Sequence, residues 1–328
     1  MKKTALICGI SGQDGAYLSQ LLLNKGYNVI GTSRDATTQR FEKLAYLNIE
    51  QNVELLSMVH TDFRSVVQTL KATKPDEIYN LAGQSSVGLS FQQPVETLQS
   101  IAVGTINLLE AIKFIELPVK FYNAGSGECF GDTGGHAANE QTAFRPRSPY
   151  ATAKAAAHWT VANYRESYGI QGCTGILFNH ESPLRPDRFV TRKIVRGALQ
   201  IASRGSGVLE LGNLDISRDW GWAPEYVEAM WRMLQLEKVE DFVIASGKSN
   251  TLSNFCDLVF DAVGLVAADH VRISDKYTRP SDIKFSLGDP SKAFSKLNWK
   301  PIRNFQEIAF EMVKTECEKH AGEEIDWV

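Results

Sequence analysis

The first twenty-six residues restrict the fold of this chain more than any other stretch. Ala5-Leu6-Ile7-Cys8 is a short apolar run that breaks into Gly9-Ile10-Ser11-Gly12-Gln13-Asp14-Gly15. Leu18, Leu21 and Leu22 then recur at helical spacing, and Gly26 closes that segment. A strand, a glycine turn and a helix in this order form a buried parallel strand feeding a helix that packs back over it. The glycines are spaced G-x-x-G-x-x-G rather than the commoner G-x-G-x-x-G. Either spacing gives a tight turn, close approach of backbone to a pyrophosphate, and a helix N-terminus aimed at the anion. Gly9, Gly12, Gln13, Asp14 and Gly15 are therefore expected at a dinucleotide.

The same alternation continues down the chain. Strands are expected at Tyr27–Thr32, Val53–Val59, Glu77–Ala82, Val119–Tyr122 and Cys173–Phe178. Between them fall helices carrying Val66, Val67 and Leu70, and then Asn107, Leu108 and Ala111 in a long helix from near Pro94. Such alternation predicts an α/β chain with a doubly wound parallel sheet of Rossmann type, its cofactor lying across the carboxyl ends of the strands. With 328 residues there is room for a smaller α/β substrate-binding domain besides. Residues 1–178 mainly form the dinucleotide-binding domain and 179–328 mainly the substrate-binding one, with some segments interleaved into the first. A short helix capped by Asp289-Pro290 and an amphipathic helix from about Asn304 to Lys319 close the chain.

Composition excludes some functions. A formal net charge of -3 with no basic block argues against nucleic-acid or membrane-surface partners. No apolar run approaches the about 18 residues of a spanning helix, and the glycines at 9, 12 and 15 interrupt any signal-peptide core. The five cysteines are scattered without a C-x-x-C pair, which fits reduced thiols in a cytoplasm and no metal site.

Site chemistry is spread over the strand ends. After the second strand, Arg34 suits the 2′-phosphate of NADP, while the adjacent Asp35 leaves NAD open. Asp62 and Phe63 are placed to flank the adenine. The small residues of Leu81-Ala82-Gly83-Gln84-Ser85-Ser86 let backbone approach the nicotinamide half. The fifth strand delivers Ser126 and Glu128. Ser148 and Pro149 suit a helix start, and Tyr150 and Lys154, four apart, share one face of that helix. An ammonium beside a phenol of ordinary pKa about 10 favours the phenolate, so Tyr150 can take a proton from a substrate hydroxyl. Tyr-x-x-x-Lys by itself is a short motif; its weight comes from what precedes it. His180, in a turn after a strand, is read as hydrogen-bonding backbone. The cations of Thr191-Arg192-Lys193, Arg218 and Arg279 are placed to converge on a diphosphate.

Gly9-x-x-Gly12-x-x-Gly15, Asp62-Phe63, Ser126 and Tyr150-x-x-x-Lys154 in this order resemble the extended short-chain dehydrogenase/reductase superfamily. Several longer runs are similar to GDP-mannose 4,6-dehydratases. These are Gly12 to Gly15, Arg147 to Tyr150, Gly175 to Pro183 (GILFNHESP), Val190 to Ile194 (VTRKI), Leu211 to Leu214, Arg218 to Gly221 and Leu297 to Pro301. The resemblance covers nearly the whole chain. It implies an internal redox cycle on a nucleotide sugar. Tyr150 removes the O4 proton as hydride leaves C4 for NADP, Glu128 takes the C5 proton, water departs from C6, and the hydride returns to C6. Ser126 would bond O4, and Lys154 would hold the nicotinamide ribose.

By the same matching, Gln13, Asp14, Arg34, Asp62, Phe63, Leu81, Ala82, Gln84, His180 and Arg185 would line the dinucleotide site. Asn179, Lys193, Arg218 and Arg279 would contact the diphosphate and sugar, with Ser86, Val190, Leu211, Gly212, Asn213 and Asp282 beside them. The implied substrate is a GDP-linked manno-configured sugar, GDP-mannose or a GDP-heptose, and the implied assembly a homodimer or homotetramer. The chain departs from the family in Ser126-Gly127-Glu128 where Thr-Ser-Glu is usual, in Asp35 where a second arginine is usual, and in Asp282, a shortened acid. Two other readings stand beside this one: a reductase or epimerase on the same scaffold, and a non-catalytic dinucleotide-binding sensor.

Overall fold

The computed structural model describes residues 2–277 and 280–319. In chain order the strands are β1 (Thr4–Cys8), β2 (Asn28–Ser33), β3 (Glu54–Ser57), β4 (Glu77–Asn80), β5 (Lys120–Ala124), β6 (Gln171–Leu177), β7 (Asn179–Glu181), β8 (Leu209–Leu211), β9 (Ser217–Trp222), β10 (Phe242–Ile244), β11 (Ser249–Thr251) and β12 (Val271–Ile273). Seven of them form one sheet in the order β10-β6-β5-β4-β1-β2-β3. Every pairing in it is parallel.

The sequence of β1 shows why the sheet is covered on both faces. Ala5 and Ile7 point into one core, with Leu18 and Leu22 of the Gln13–Asn24 helix and Tyr226, Met230 and Met233 of the Ala223–Gln235 helix. Leu6 and Cys8 point into the other, with Val66, Leu70, Leu108, Ile112 and Val161. All four β1 residues have no exposed surface. A strand buried on both sides reads as a continuous apolar run rather than an alternating one. Each fully buried aliphatic side chain contributes on the order of 1.5–3 kcal/mol. The strand order reverses between β1 and β4, and the crevice outside the carboxyl ends of those strands is where a ligand binds in such sheets.

The second half of the chain is divided. It supplies β10 and the Ala223–Gln235 helix to the large sheet. Its other elements include a three-stranded sheet, β11-β9-β7, and a parallel β8–β12 pair. Ile194, Leu211, Trp220, Phe255 and Met312 pack there in a core of their own. Among the described residues no helix is long and apolar enough to cross a membrane.

The long helix expected from Pro94 is not one continuous α-helix. Pro94–Leu98 and Gly104–Phe114 are joined by a π turn, Gln99–Val103. His60 Nε2 donates to the Ser100 carbonyl at 2.8 Å, and the Gln84 amide donates to Ser100 Oγ at 3.2 Å. The turn thus faces the loop that follows β4, in keeping with the tendency of π turns to sit at functional sites.

Candidate active site

A cavity of about 680 Å³ lies outside the carboxyl ends of the strands, between the sheet and the smaller core. The glycine turn reaches its lining only at Asp14. Gly9 has φ +86°, and a Cβ there would lie 2.9 Å from the backbone of Ala82; one on Gly15 would lie 2.7 Å from Gly9 and Ile10. Gly12 precedes the Gln13–Asn24 helix and offers no side chain to its first amides. Bare backbone at a helix N-terminus is the donor set a pyrophosphate needs, so the turn fits a dinucleotide. Of the cofactor residues expected here, Asp14, Leu81 and Gln84 line the cavity, whereas Gly9, Gly12, Gln13, Gly15 and Ala82 do not.

Gln13 and Asp14 tie the turn to β7. Gln13 Nε2 donates to the His180 carbonyl at 3.2 Å, and Ser182 Oγ donates to Gln13 Oε1 at 2.7 Å. His180 Nδ1 lies 2.8 Å from the Phe178 carbonyl, the backbone bond expected of it. Its Nε2 lies 2.9 Å from Asp14 Oδ2. Burial alone would raise the Asp14 carboxyl, but the charge and hydrogen bond of His180 outweigh it and hold the carboxyl at about 2. Burial likewise opposes the His180 charge, yet Asp14 raises its pKa above the ordinary 6.5.

The sign of each shift sets a pH window. The raised histidine stabilises fully below about 6.5 and loses that share as pH rises through its folded pKa. The lowered carboxyl stabilises above about 3.9 and loses its share as pH falls through about 2. The difference in melting temperature between the wild type and His180→Gln is therefore expected to be greatest between about pH 4 and 6.5, and to shrink by pH 9. A difference that stays constant over that range would show that the pair is not ionic.

Ser126, Glu128, Tyr150 and Lys154 all line the cavity. Ser126 caps the Gly127–Phe130 turn, its Oγ accepting from the Glu128 amide at 3.3 Å, so both residues are fixed at the end of β5. Ser148 caps the Pro149–Tyr168 helix through the Ala151 amide at 3.1 Å, which starts the helix where Tyr150 faces inward. The ammonium of Lys154 is not spent on the phenol. It donates to the Ala124 carbonyl at 2.7 Å and stands 5.8 Å from the centre of the Tyr150 ring. Burial raises the Tyr150 phenol well above its ordinary value, and the Ser126 hydroxyl is the strongest group acting against that. The carbonyl at the end of β5, not the phenol, is the hydrogen-bond partner of the ammonium here. Burial also brings Lys154 down to about 8.

The opposite wall carries Asn179, Val190, Lys193, Leu211, Gly212, Asn213, Arg218 and Asp282, while Ser86 lines the near wall in the turn after β4. Lys193 Nζ donates to the Glu210 carbonyl at 2.6 Å and stands 3.5 Å over the ring of Tyr277. Arg218 Nη2 donates to Asp282 Oδ1 at 3.1 Å. Of the three cations expected to converge, Lys193 and Arg218 share this wall, and Arg279 lies outside the described residues. Arg185 is also in the wall, its Nε 3.2 Å from Glu181 Oε2.

Three expected cofactor residues lie off the cavity wall, at the ends of β2 and β3. Asp62 caps the Phe63–Thr73 helix through the Arg64 amide at 2.9 Å, and Phe63 packs edge-on against Phe114 at 6.0 Å. Arg34 is exposed. Tyr277, Phe189 and Trp220 also line the cavity and carried no local motif to mark them.

The family model described as GDP-mannose 4,6 dehydratase matches residues 6–312. This chain belongs to that family. GDP-mannose 4,6 dehydratase 1 of Arabidopsis thaliana is 45% identical over 334 residues, spanning 99% of this chain and 92% of that one. The GDP-mannose 4,6-dehydratase of Vibrio cholerae is 42% identical, spanning 98% and 96%. Among solved structures, the UDP-glucose 4-epimerase of Thermus thermophilus in complex with NAD superposes with a TM-score of 0.83 at 25% identity, over 95% of this chain and 98% of that one. The dTDP-glucose 4,6-dehydratase DesIV of Streptomyces venezuelae, with NAD and TYD bound, reaches a TM-score of 0.86 at 19% identity, over 98% and 99%, which is a likeness of fold. The cavity of this family member is lined by residues from both halves of the chain.

Proposed function

We propose that this protein is a nucleotide-sugar 4,6-dehydratase that converts a GDP-linked manno-configured sugar to its 4-keto-6-deoxy product, with NADP as its resident dinucleotide. The convergence of Ser126, Glu128, Tyr150 and Lys154 on one cavity, beside a bare glycine turn, carries this reading. The nicotinamide, when bound, supplies a reversible two-electron acceptor. Tyr150 takes the proton from O4, with Ser126 holding that oxygen. Glu128 takes the C5 proton and returns a proton to the departing C6 hydroxyl, so one carboxylate serves as base and then as acid. Lys154 orients the nicotinamide ribose, and Lys193 and Arg218 hold the diphosphate.

The loop after β2 supports NADP over NAD. Asp35 accepts from the Thr37 amide at 3.0 Å and the Thr38 amide at 3.1 Å, and these bonds, with the Thr38 hydroxyl, hold its carboxyl low. Its negative end is engaged within its own turn, leaving Arg34 to meet a 2′-phosphate. Exposed apolar residues on the stretch from Pro94 to Phe114 and on the Pro149–Tyr168 helix, Val95, Val103, Ile106 and Trp159, support a homodimer as the minimal assembly. We read residues 1–178 as mainly the dinucleotide-binding domain and 179–328 as mainly the substrate-binding one.

Incubating the enzyme with GDP-mannose or a GDP-heptose, with no added reductant, tests the reaction. A keto product with no net consumption of NADPH is expected. Stoichiometric NADPH consumption on a keto substrate would establish a reductase instead. Mass spectrometry of the nucleotide that co-purifies identifies the cofactor.

A further inference from the structure

Arg188 has no role in the reaction described above, yet it stands at the rim of the cavity. It lies in the segment between β7 and the Val190–Arg204 helix, and its Nη2 donates to Ser85 Oγ, 3.1 Å away and 103 residues distant in sequence. That bond joins the two walls of the cleft, since Ser85 belongs to the turn after β4. The guanidinium also stands 5.3 Å from the centre of the Phe189 ring, against which Arg185 packs at 3.8 Å.

The charges around Arg188 are unbalanced. Arg185 is paired with Glu181 at 3.2 Å, whereas among the described residues no carboxylate pairs with Arg188. Burial and the charge of Arg185 both act to lower its pKa. Lys43, whose Nζ donates to the Ser11 carbonyl of the glycine turn at 3.0 Å, is in turn lowered by burial and feels the charge of Arg188. Two guanidinium groups, Arg185 and Arg188, therefore share one end of the cavity lining, with Lys43 near them but outside it. A guanidinium fork bonded only to a neutral hydroxyl has most of its donors uncommitted. Phosphate oxygens offer such a fork a charged acceptor with the geometry for bidentate bonding, which a single hydroxyl does not.

We propose that Arg188 is a diphosphate-binding residue of this cleft, held at Ser85 across the rim and turning onto the phosphate oxygens of an entering ligand. The inference rests on the reading that the cleft takes a dinucleotide and a nucleotide sugar, either of which carries a diphosphate. Arg188 is exposed, so the change of partner needs no rearrangement of the core.

The test uses the full-length chain with NADPH, followed by fluorescence, and GDP, followed by calorimetry. Arg188→Ala is expected to weaken one of the two about ten- to hundredfold. Loss for NADPH alone assigns the residue to the dinucleotide, and loss for GDP alone assigns it to the nucleotide sugar. Arg188→Lys should recover part of the loss, since it keeps the charge without the fork. Ser85→Ala frees the guanidinium and should bind as tightly as the wild type or more tightly. Binding of both ligands by Arg188→Ala within twofold of the wild type would overturn the proposal. So would equal weakening in Ser85→Ala, which would mark the pair as a strut between the walls. A wild type that binds neither ligand would overturn the functional reading itself, and Arg188's role with it.

Discussion

Glu128→Gln is expected to lower turnover by roughly 10²–10⁴-fold, the range for loss of a general acid–base group, while dinucleotide binding is unchanged. The amide keeps the length and shape of the side chain, and the Ser126 cap on the Glu128 backbone amide does not involve the carboxyl. The variant therefore tests proton transfer rather than folding. Burial chiefly raises the Tyr150 phenol, and the charge of Glu128 adds to that, so the two side chains interact across the cavity they both line. The discriminating measurement is incorporation of solvent deuterium at C5 of the sugar. Wild-type enzyme should exchange that position during turnover, and Glu128→Gln should not. Tyr150→Phe should block the cycle earlier, at O4, and leave the sugar unchanged. If Glu128→Gln turns over and exchanges like the wild type, another group is the C5 base and the assignment is wrong.

The parts of this fold that can be read from the sequence are those fixed by burial on two faces. β1 appears as a nearly unbroken apolar run, β2 to β6 as apolar-rich segments that include polar residues, and each expected strand falls within a few residues of the observed one because turn residues bound it. β10 escapes such a reading. Phe242-Val243-Ile244 is three residues long, follows a helix, and joins the large sheet only by parallel pairing with Gly175–Leu177. Neither of those partners signals the other locally. The same limit applies to β7, β8, β11 and β12, each too short to display a period.

The site divides in a similar way. Tyr150 and Lys154 are found by helical spacing, and the glycine turn by its place between strand and helix. Gly127 reads in the sequence as a lost hydroxyl, but the ring of Phe178 would lie 3.1 Å from a Cβ at that position, so the packing there favours glycine. Side chains placed by contacts across the fold leave no such trace. Adjacent Arg192 and Lys193 are alike as cations in the sequence, yet Lys193 lines the cavity and Arg192 is buried against Glu316, 124 residues away. The position of Lys154 is evident from spacing but its partner is not, because a strand-end carbonyl competes with a phenol only once β5 and the Pro149–Tyr168 helix have packed.

The buried Arg192–Glu316 pair gives the largest expected effect on stability. Arg192 Nη1 and Nη2 lie 2.7 and 3.1 Å from the two oxygens of Glu316, a bidentate contact between the Val190–Arg204 helix and the Phe305–Lys319 helix. Arg192 is 6% exposed and Glu316 1%. Removing one partner of such a pair leaves a charge in a low-dielectric interior, which costs about 3–5 kcal/mol. Glu316→Ala should therefore lower the thermal midpoint by roughly 4–7 °C for a chain of this size. Asp187, 3.6 Å from Arg192 but largely exposed, recovers only a small part of the loss. The double variant Arg192→Met, Glu316→Leu should regain most of the stability, since an apolar pair of similar volume carries no desolvation penalty. Glu316→Ala should also weaken GDP binding, because Val190 and Lys193 on the cavity wall ride on the helix that Arg192 anchors. A midpoint that moves by less than about 2 °C in Glu316→Ala would mean that neighbouring groups already neutralise Arg192, and that the C-terminal helix is held chiefly by Ile308, Met312 and Val313 in the smaller core.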